Sequence, residues 1–152
     1  MLKKLLVCIF FIVGSAPNLT FSAEFKGVYH LIVVDKINLE NNYNQSIIFN
    51  RCGALFAALS TYIGDIDNNT QKTLANISED NGVLMLSEAL RAMGREKKKS
   101  PEDDEVTNQV YNTFQKLLKI YYSKYEENQV LTGDVFDNYM KKEFQICMQF
   151  TK

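Results

Sequence analysis

Apolar residues at Ile48, Cys52, Leu55, Phe56, Leu59, Ile63 and Ile66 recur at three- and four-residue spacing, the signature of one buried face of an α-helix over residues 46–66. Small residues Gly53, Ala54, Ala57 and Ala58 sit beside that stripe, so a neighbouring backbone can approach closely. Asn41-Asn42-Tyr43-Asn44 reads as a break or bend before this helix, and Gly64 suits the left-handed conformation past its end. The chain is organised around this stretch.

Three more periodic stretches follow. Leu74, Ile77, Leu84, Leu86, Leu90 and Met93 carry a looser helical pattern to about Arg95, with Thr70 available as its cap. Asn81-Gly82 interrupts this pattern, as a kink or as a short turn between two helices. Val106, Val110, Phe114, Leu117, Leu118, Tyr121 and Tyr125 form a long stripe, and Phe136, Met140, Phe144 and Cys147 line a last helix. Between these two stripes, 128–133 is a short connection with Thr132 as a cap. The sharpest boundary lies earlier, where Arg91, Arg95, Lys97, Lys98 and Lys99 end one helix and Glu102, Asp103, Asp104 and Glu105 begin another. Cations favour a helix C-terminus and anions an N-terminus. Ser100 as cap with Pro101 in the first helical position fits the same helical hairpin.

Residues 24–40 admit two readings. Residues 28–34 are β-branched enough for a strand, but Phe25, Val28, Tyr29 and Ile32 also fit a helix face. The one tempting partner strand is 82–86, and a two-stranded sheet is marginal alone. A helix packed on the bundle is therefore favoured. The expected fold is all-α: a four-helix up-down bundle with a short extra N-terminal segment.

The N-terminus changes the picture from fold to compartment. Lys3 and Lys4 precede nine apolar residues over 5–13, and a small-residue region with Pro17 ends at Ser22-Ala23. This is the pattern of a secretory signal peptide, 1–23, cleaved after Ser22 or Ala23. The apolar run is too short for a bilayer, which takes roughly 20 helical residues. Cys8 follows Val7 rather than a small residue, which argues against a lipoprotein anchor. Residues 24–152 then form a single helical domain, exported to a periplasmic or extracellular space, with no membrane span after signal removal. Cleavage takes two lysines and no acid, so the whole-chain charge of −1 becomes −3. That balance argues against a general nucleic-acid binder, whose affinity comes from neutralising phosphates. Asn44, Asn68 and Asn76 head N-x-S/T sequons, which matter only where a secretory pathway glycosylates.

Export gives the cysteines their meaning. Cys8 leaves with the signal, and Cys52 and Cys147 remain on apolar faces of the first and last long helices. In an up-down bundle these helices are antiparallel neighbours. At 1.5 Å per residue Cys52 lies about 12 Å above the start of its helix, and Cys147 about 9 Å above the bottom of a roughly 30 Å bundle. A disulfide tying the first and last long helices is the expected structural bridge. Without a C-x-x-C pair, nothing points to redox catalysis.

The remaining candidate chemistry thins out under inspection. His30 is the sole histidine, and no ligand spacing surrounds it to suggest a metal site, nor a nucleophile signature to suggest a triad. Asp65-x-Asp67-x-Asn69 matches the opening of a calcium loop, but Thr70 and Asn76 stand where glycine and a bidentate glutamate are needed. No phosphate-binding glycine loop occurs, so no cofactor is indicated. Tyr121 and Tyr125 belong to the core stripe, whereas Tyr111 and Tyr122 fall off it and, with Lys119, form the candidate contact surface for a protein partner. The expected role is a non-enzymatic accessory or interaction protein. Two alternatives stay open: a carrier of a small apolar ligand within the bundle, and an enzyme without a recognisable motif.

Overall fold

The computed structural model describes residues 25–64 and 69–152, without the side chains of Asn69 and Thr70. The expected signal peptide, 1–23, and residues 65–68 of the acidic loop fall outside the described residues, whereas Thr70, expected as a cap, lies within the second helix, which begins at Asn69. A short π-helical turn, His30–Val34, precedes four helices: α1 (Asn42–Gly64), α2 (Asn69–Lys97), α3 (Asp104–Thr132) and α4 (Asn138–Cys147). A 3-10 turn, Met148–Thr151, closes the described chain, and no strand occurs among the described residues. The all-α bundle follows the sequence pattern.

Contacts between helices give the up-down order. Near the start of α1, Ser46 Oγ donates to the Ala89 carbonyl late in α2, and Asn50 Nδ2 donates to the Val110 carbonyl early in α3. Near the end of α1, Tyr62 meets Tyr122, far along α3. Hence α2 runs against α1, and α3 runs with it. The descent of α4 is marked by Phe144 against Phe56, then Phe150 of the final turn against Phe49. Every described residue of the α1 stripe, Ile48 through Ile63, is buried. By length and hydropathy α1 could cross a membrane, yet it is the packed centre of the bundle, in contact with α2, α3 and α4.

The reason α1 and α2 pack so closely lies in two glycines. A Cβ on Gly53 would meet the Leu86 nitrogen at 3.2 Å and the Gly82 carbonyl oxygen at 3.3 Å. One on Gly82 would meet the Ala57 nitrogen at 3.3 Å. Gly82 is thus a contact point and not a break, and α2 runs unbroken through Asn81-Gly82. The helix-propensity cost of glycine, about 1 kcal/mol, is set against backbone-to-backbone packing that a Cβ would tighten, pushing the facing helix back by a few tenths of an ångström.

The Cys52–Cys147 disulfide is present, both residues fully buried, and it ties α1 to α4 across 95 residues of sequence. Other expectations need correction. α3 is capped by Asp103, which accepts from the Glu105 N–H at 2.9 Å, so Ser100 and Pro101 belong to the preceding turn. α3 extends through Thr132, whose hydroxyl bonds back to the Asn128 carbonyl, and Asp137 caps α4 by accepting from Met140. The described part of the 24–40 segment, residues 25–40, is neither a strand nor a full helix: only a turn and a half is helical, and it is held from outside by a buried carboxylate.

Candidate functional site

α4 turns Met140, Glu143 and Cys147 inward together, at a spacing that places all three on its buried side. Glu143 is fully buried there. Its carboxylate accepts from the backbone N–H groups of Val28 at 2.7 Å and Tyr29 at 2.6 Å, and from the Tyr121 hydroxyl at 3.1 Å. The backbone donors stand at the N-cap, Tyr29, and one residue before it, at the entry to the His30–Val34 turn, where a negative charge is favoured. Gly27 gives this junction its room: a Cβ would sit 2.4 Å from a Glu143 oxygen, so a larger residue would displace the carboxylate from its donors. The Gly27 N–H donates to the Tyr139 hydroxyl at 3.1 Å. Phe25 completes the attachment, edge-on to Tyr121 and flanked by the Arg51 guanidinium at 5.1 Å and the Lys124 ammonium at 5.5 Å.

This cluster fastens residues 25–35 to the bundle. Burial, reinforced by the Glu143 charge, holds the Tyr121 and Tyr125 hydroxyls well above the ordinary tyrosine range and pushes Tyr139 up to about 12. The tyrosines are therefore neutral donors at physiological pH, and the Glu143 oxygens are occupied by donors. The arrangement suits a strut better than an acid–base pair. Sequence reasoning missed Glu143. Its signal was available: a charged residue sits among Met140, Phe144 and Cys147 on the apolar stripe.

The predicted contact residues lie elsewhere. Tyr111 is 45% exposed on α3. Tyr122 lies eleven residues on, three turns of helix, and so on the same side about 16 Å away. It is half-buried, packed edge-on against Tyr62 at 5.6 Å. Lys119 and Tyr122 line one shallow groove of about 240 Å³ with Thr61, Leu118 and Ser123. The segment 25–35, which could have covered the tyrosines, engages Tyr121 and α4 instead.

His30 and most of the basic run have local partners. His30 Nε2 lies 3.3 Å from Asp35, and no cluster of three or more potential metal ligands occurs among the described residues. Lys26, and secondarily His30, hold the Asp35 carboxyl below its ordinary range. The basic run is largely spent within the protein. Arg95 donates to Asn42 and Gln45, while Lys97 and Lys99 each bind Glu105 at 2.6 Å and depress its carboxyl to about 2. No protein-family model matches the chain, and comparison with curated proteins and solved structures returns no significant match.

Proposed function

We propose that the chain is an exported, non-enzymatic interaction protein that docks a protein partner on the outward side of α3, at Tyr111, Lys119 and Tyr122. The carrying observation is the alignment of exposed Tyr111 with the apolar groove at Leu118 and Tyr122, rimmed by Lys119. Tyrosine gives large contact area at low entropy cost. A partner that places an apolar side chain between Leu118 and Tyr122, with a carboxylate beside Lys119, fits this surface. The buried disulfide accords with an oxidising compartment, periplasmic or extracellular. The carrier and enzyme alternatives draw less support: Phe56, Tyr121 and Tyr125 fill the centre of the bundle, and its buried carboxylate is engaged by three donors.

The test is a photo-crosslinking side chain at position 111 in producing cells. The control position is Lys116, exposed on the same helix but turned well away. A discrete adduct from 111, weakened by Lys119→Glu without a change in melting temperature, is the expected result. Adducts from 111 no different from those at 116 would refute the surface. An intact Met1 in N-terminal sequencing of native protein would refute export by cleavage.

A further inference from the structure

Beyond their shared turn, α2 and α3 leave a groove open between them. Ala57 and Thr61 of α1 lie at its floor, Val83 and Leu86 on one wall and Phe114 on the other. Thr61 also borders the shallow groove at Leu118 and Tyr122, so the two run on into one trough beside α3. Next to this trough α2 carries an apolar ridge. Val83 is 63% exposed, Ile77 49% and Leu84 41%, although the other side of the same helix, at Met85, Ala89 and Met93, is buried in the bundle.

A ridge beside a groove is self-complementary under a two-fold axis, since each copy's ridge then faces the other's groove. The helix directions and spacings agree with such a pairing. α2 runs against α3, so the α2 of a two-fold mate, antiparallel to the first α2, runs parallel to α3. Ile77 and Leu84 are seven residues apart, about 10.5 Å along a helix, and so are Tyr111 and Leu118. Set in step, Ile77 of the second copy meets Tyr111, and Leu84 enters between Leu118 and Tyr122. Glu88, one turn further on, comes beside Lys119. Thr61 adjoins both Leu118 and the α2 stretch from Glu79 to Gly82. Leu84 of the second copy, placed at Leu118, is therefore level with that stretch, and the two-fold axis passes within a turn of Val83, the most exposed residue of the ridge. Taking the outward side of α3 as the docking surface, we propose that its occupant is a second copy of this chain, each laying the α2 ridge of Ile77, Leu84 and Glu88 along the α3 face of the other. The apolar side chain and the carboxylate that this face calls for are thus Leu84 and Glu88. Glu88 pairs with Arg91 through one carboxylate oxygen in an exposed contact, which leaves the other oxygen for Lys119.

Sedimentation of the purified protein from micromolar to high micromolar concentration should show a monomer–dimer equilibrium. Leu84→Asp should weaken the dimer about a hundredfold with the helical circular dichroism unchanged, because Leu84 lies on the surface. Lys119→Glu and Glu88→Lys should each weaken it about tenfold, and the two together should restore it, because the pair is then reversed and not lost. In a Cys8→Ser background, Val83→Cys should be joined to its counterpart by a short bismaleimide, whereas Lys116→Cys should not. A monomer throughout the range would overturn the proposal. So would a dimer that Leu84→Asp leaves intact, or one that the double reversal fails to restore. The photo-adduct at position 111 separates self-association from the docking surface itself. An adduct of twice the chain mass supports the second copy. A discrete adduct of any other mass keeps the α3 surface, assigns it to a different protein and overturns self-association.

Discussion

At one end of the bundle α1 is enclosed by aromatic rings: Phe56 on Phe144 at 5.3 Å, Phe144 on Phe136 at 5.5 Å, Phe136 on Tyr125 at 5.7 Å, and Tyr62 on both Tyr122 and Tyr125. At the other end a separate, smaller core holds Ala89, Met93, Val106 and Val110, and α1 presents the buried polar residues Ser46 and Asn50. The difference traces to length. α4 has 10 residues where α2 and α3 have 29 each, so it covers only part of α1. Where α4 lies, large side chains, a disulfide and a buried carboxylate hold the chain. Beyond it, small side chains, hydrogen bonds and surface ion pairs do so. The first end is built for fixity, while the second keeps polar capacity.

Removing the bridge tests this contrast hardest. Cys52→Ala with Cys147→Ala releases a constraint spanning 95 residues, which the chain-entropy model values at about 4.7 kcal/mol. Lost packing at two fully buried positions adds to that. Denaturant unfolding followed by circular dichroism should show a loss of that size. Hydrogen exchange should rise around α4 well before the α2–α3 turn. A uniform rise at both ends would break the distinction between them.

Glu143 comes next in size. Glu143→Leu leaves two backbone N–H groups and the Tyr121 hydroxyl without their acceptor, at a cost of about 3 kcal/mol. The segment 25–35 should detach before the helices unfold. Limited trypsin digestion should then cut at Lys26 and Lys36 under conditions that leave the wild type intact. Resistance at these lysines would show that Phe25 and the cation contacts hold the segment without the carboxylate.

The legibility of the two ends differs for a physical reason. Helical periodicity records burial, so the α1 stripe, the core face of α3 and the matching heights of Cys52 and Cys147 could be read from residue types alone. Gly82 was legible as an exception but not as a cause: a glycine that breaks a helix and one that lets another backbone approach look the same in sequence. Glu143, Asn50 and Arg51 owe their roles to partners from distant parts of the chain. No local pattern specifies those partners. The exposure of Tyr111 was readable because it departs from the stripe of its own helix, and attention to residues that break a stripe would have marked Glu143.

The smallest effect belongs to the end without α4. Glu105 sits in the first turn of α3 between Lys97 and Lys99, and their hydrogen bonds and charges hold its carboxyl at about 2, against an ordinary 4.5. A carboxyl whose folded value is depressed stabilises the fold above its unfolded value, and that contribution fades as pH falls from 4.5 toward 2. The pair is solvent-exposed, so the stability change should be slight and should shrink further in salt. Its signature is therefore better sought in titration: carbon-detected NMR of Glu105 should give a midpoint near 2 at low ionic strength, and Lys97→Met with Lys99→Met should move it back toward 4.5. Glu105→Gln should lower the melting temperature a little at neutral pH and match the wild type at the acid end of that window. A wild-type midpoint already near 4.5 would mean that the two lysines do not hold the turn, leaving the Asp103 cap and the small apolar core to close this end by themselves.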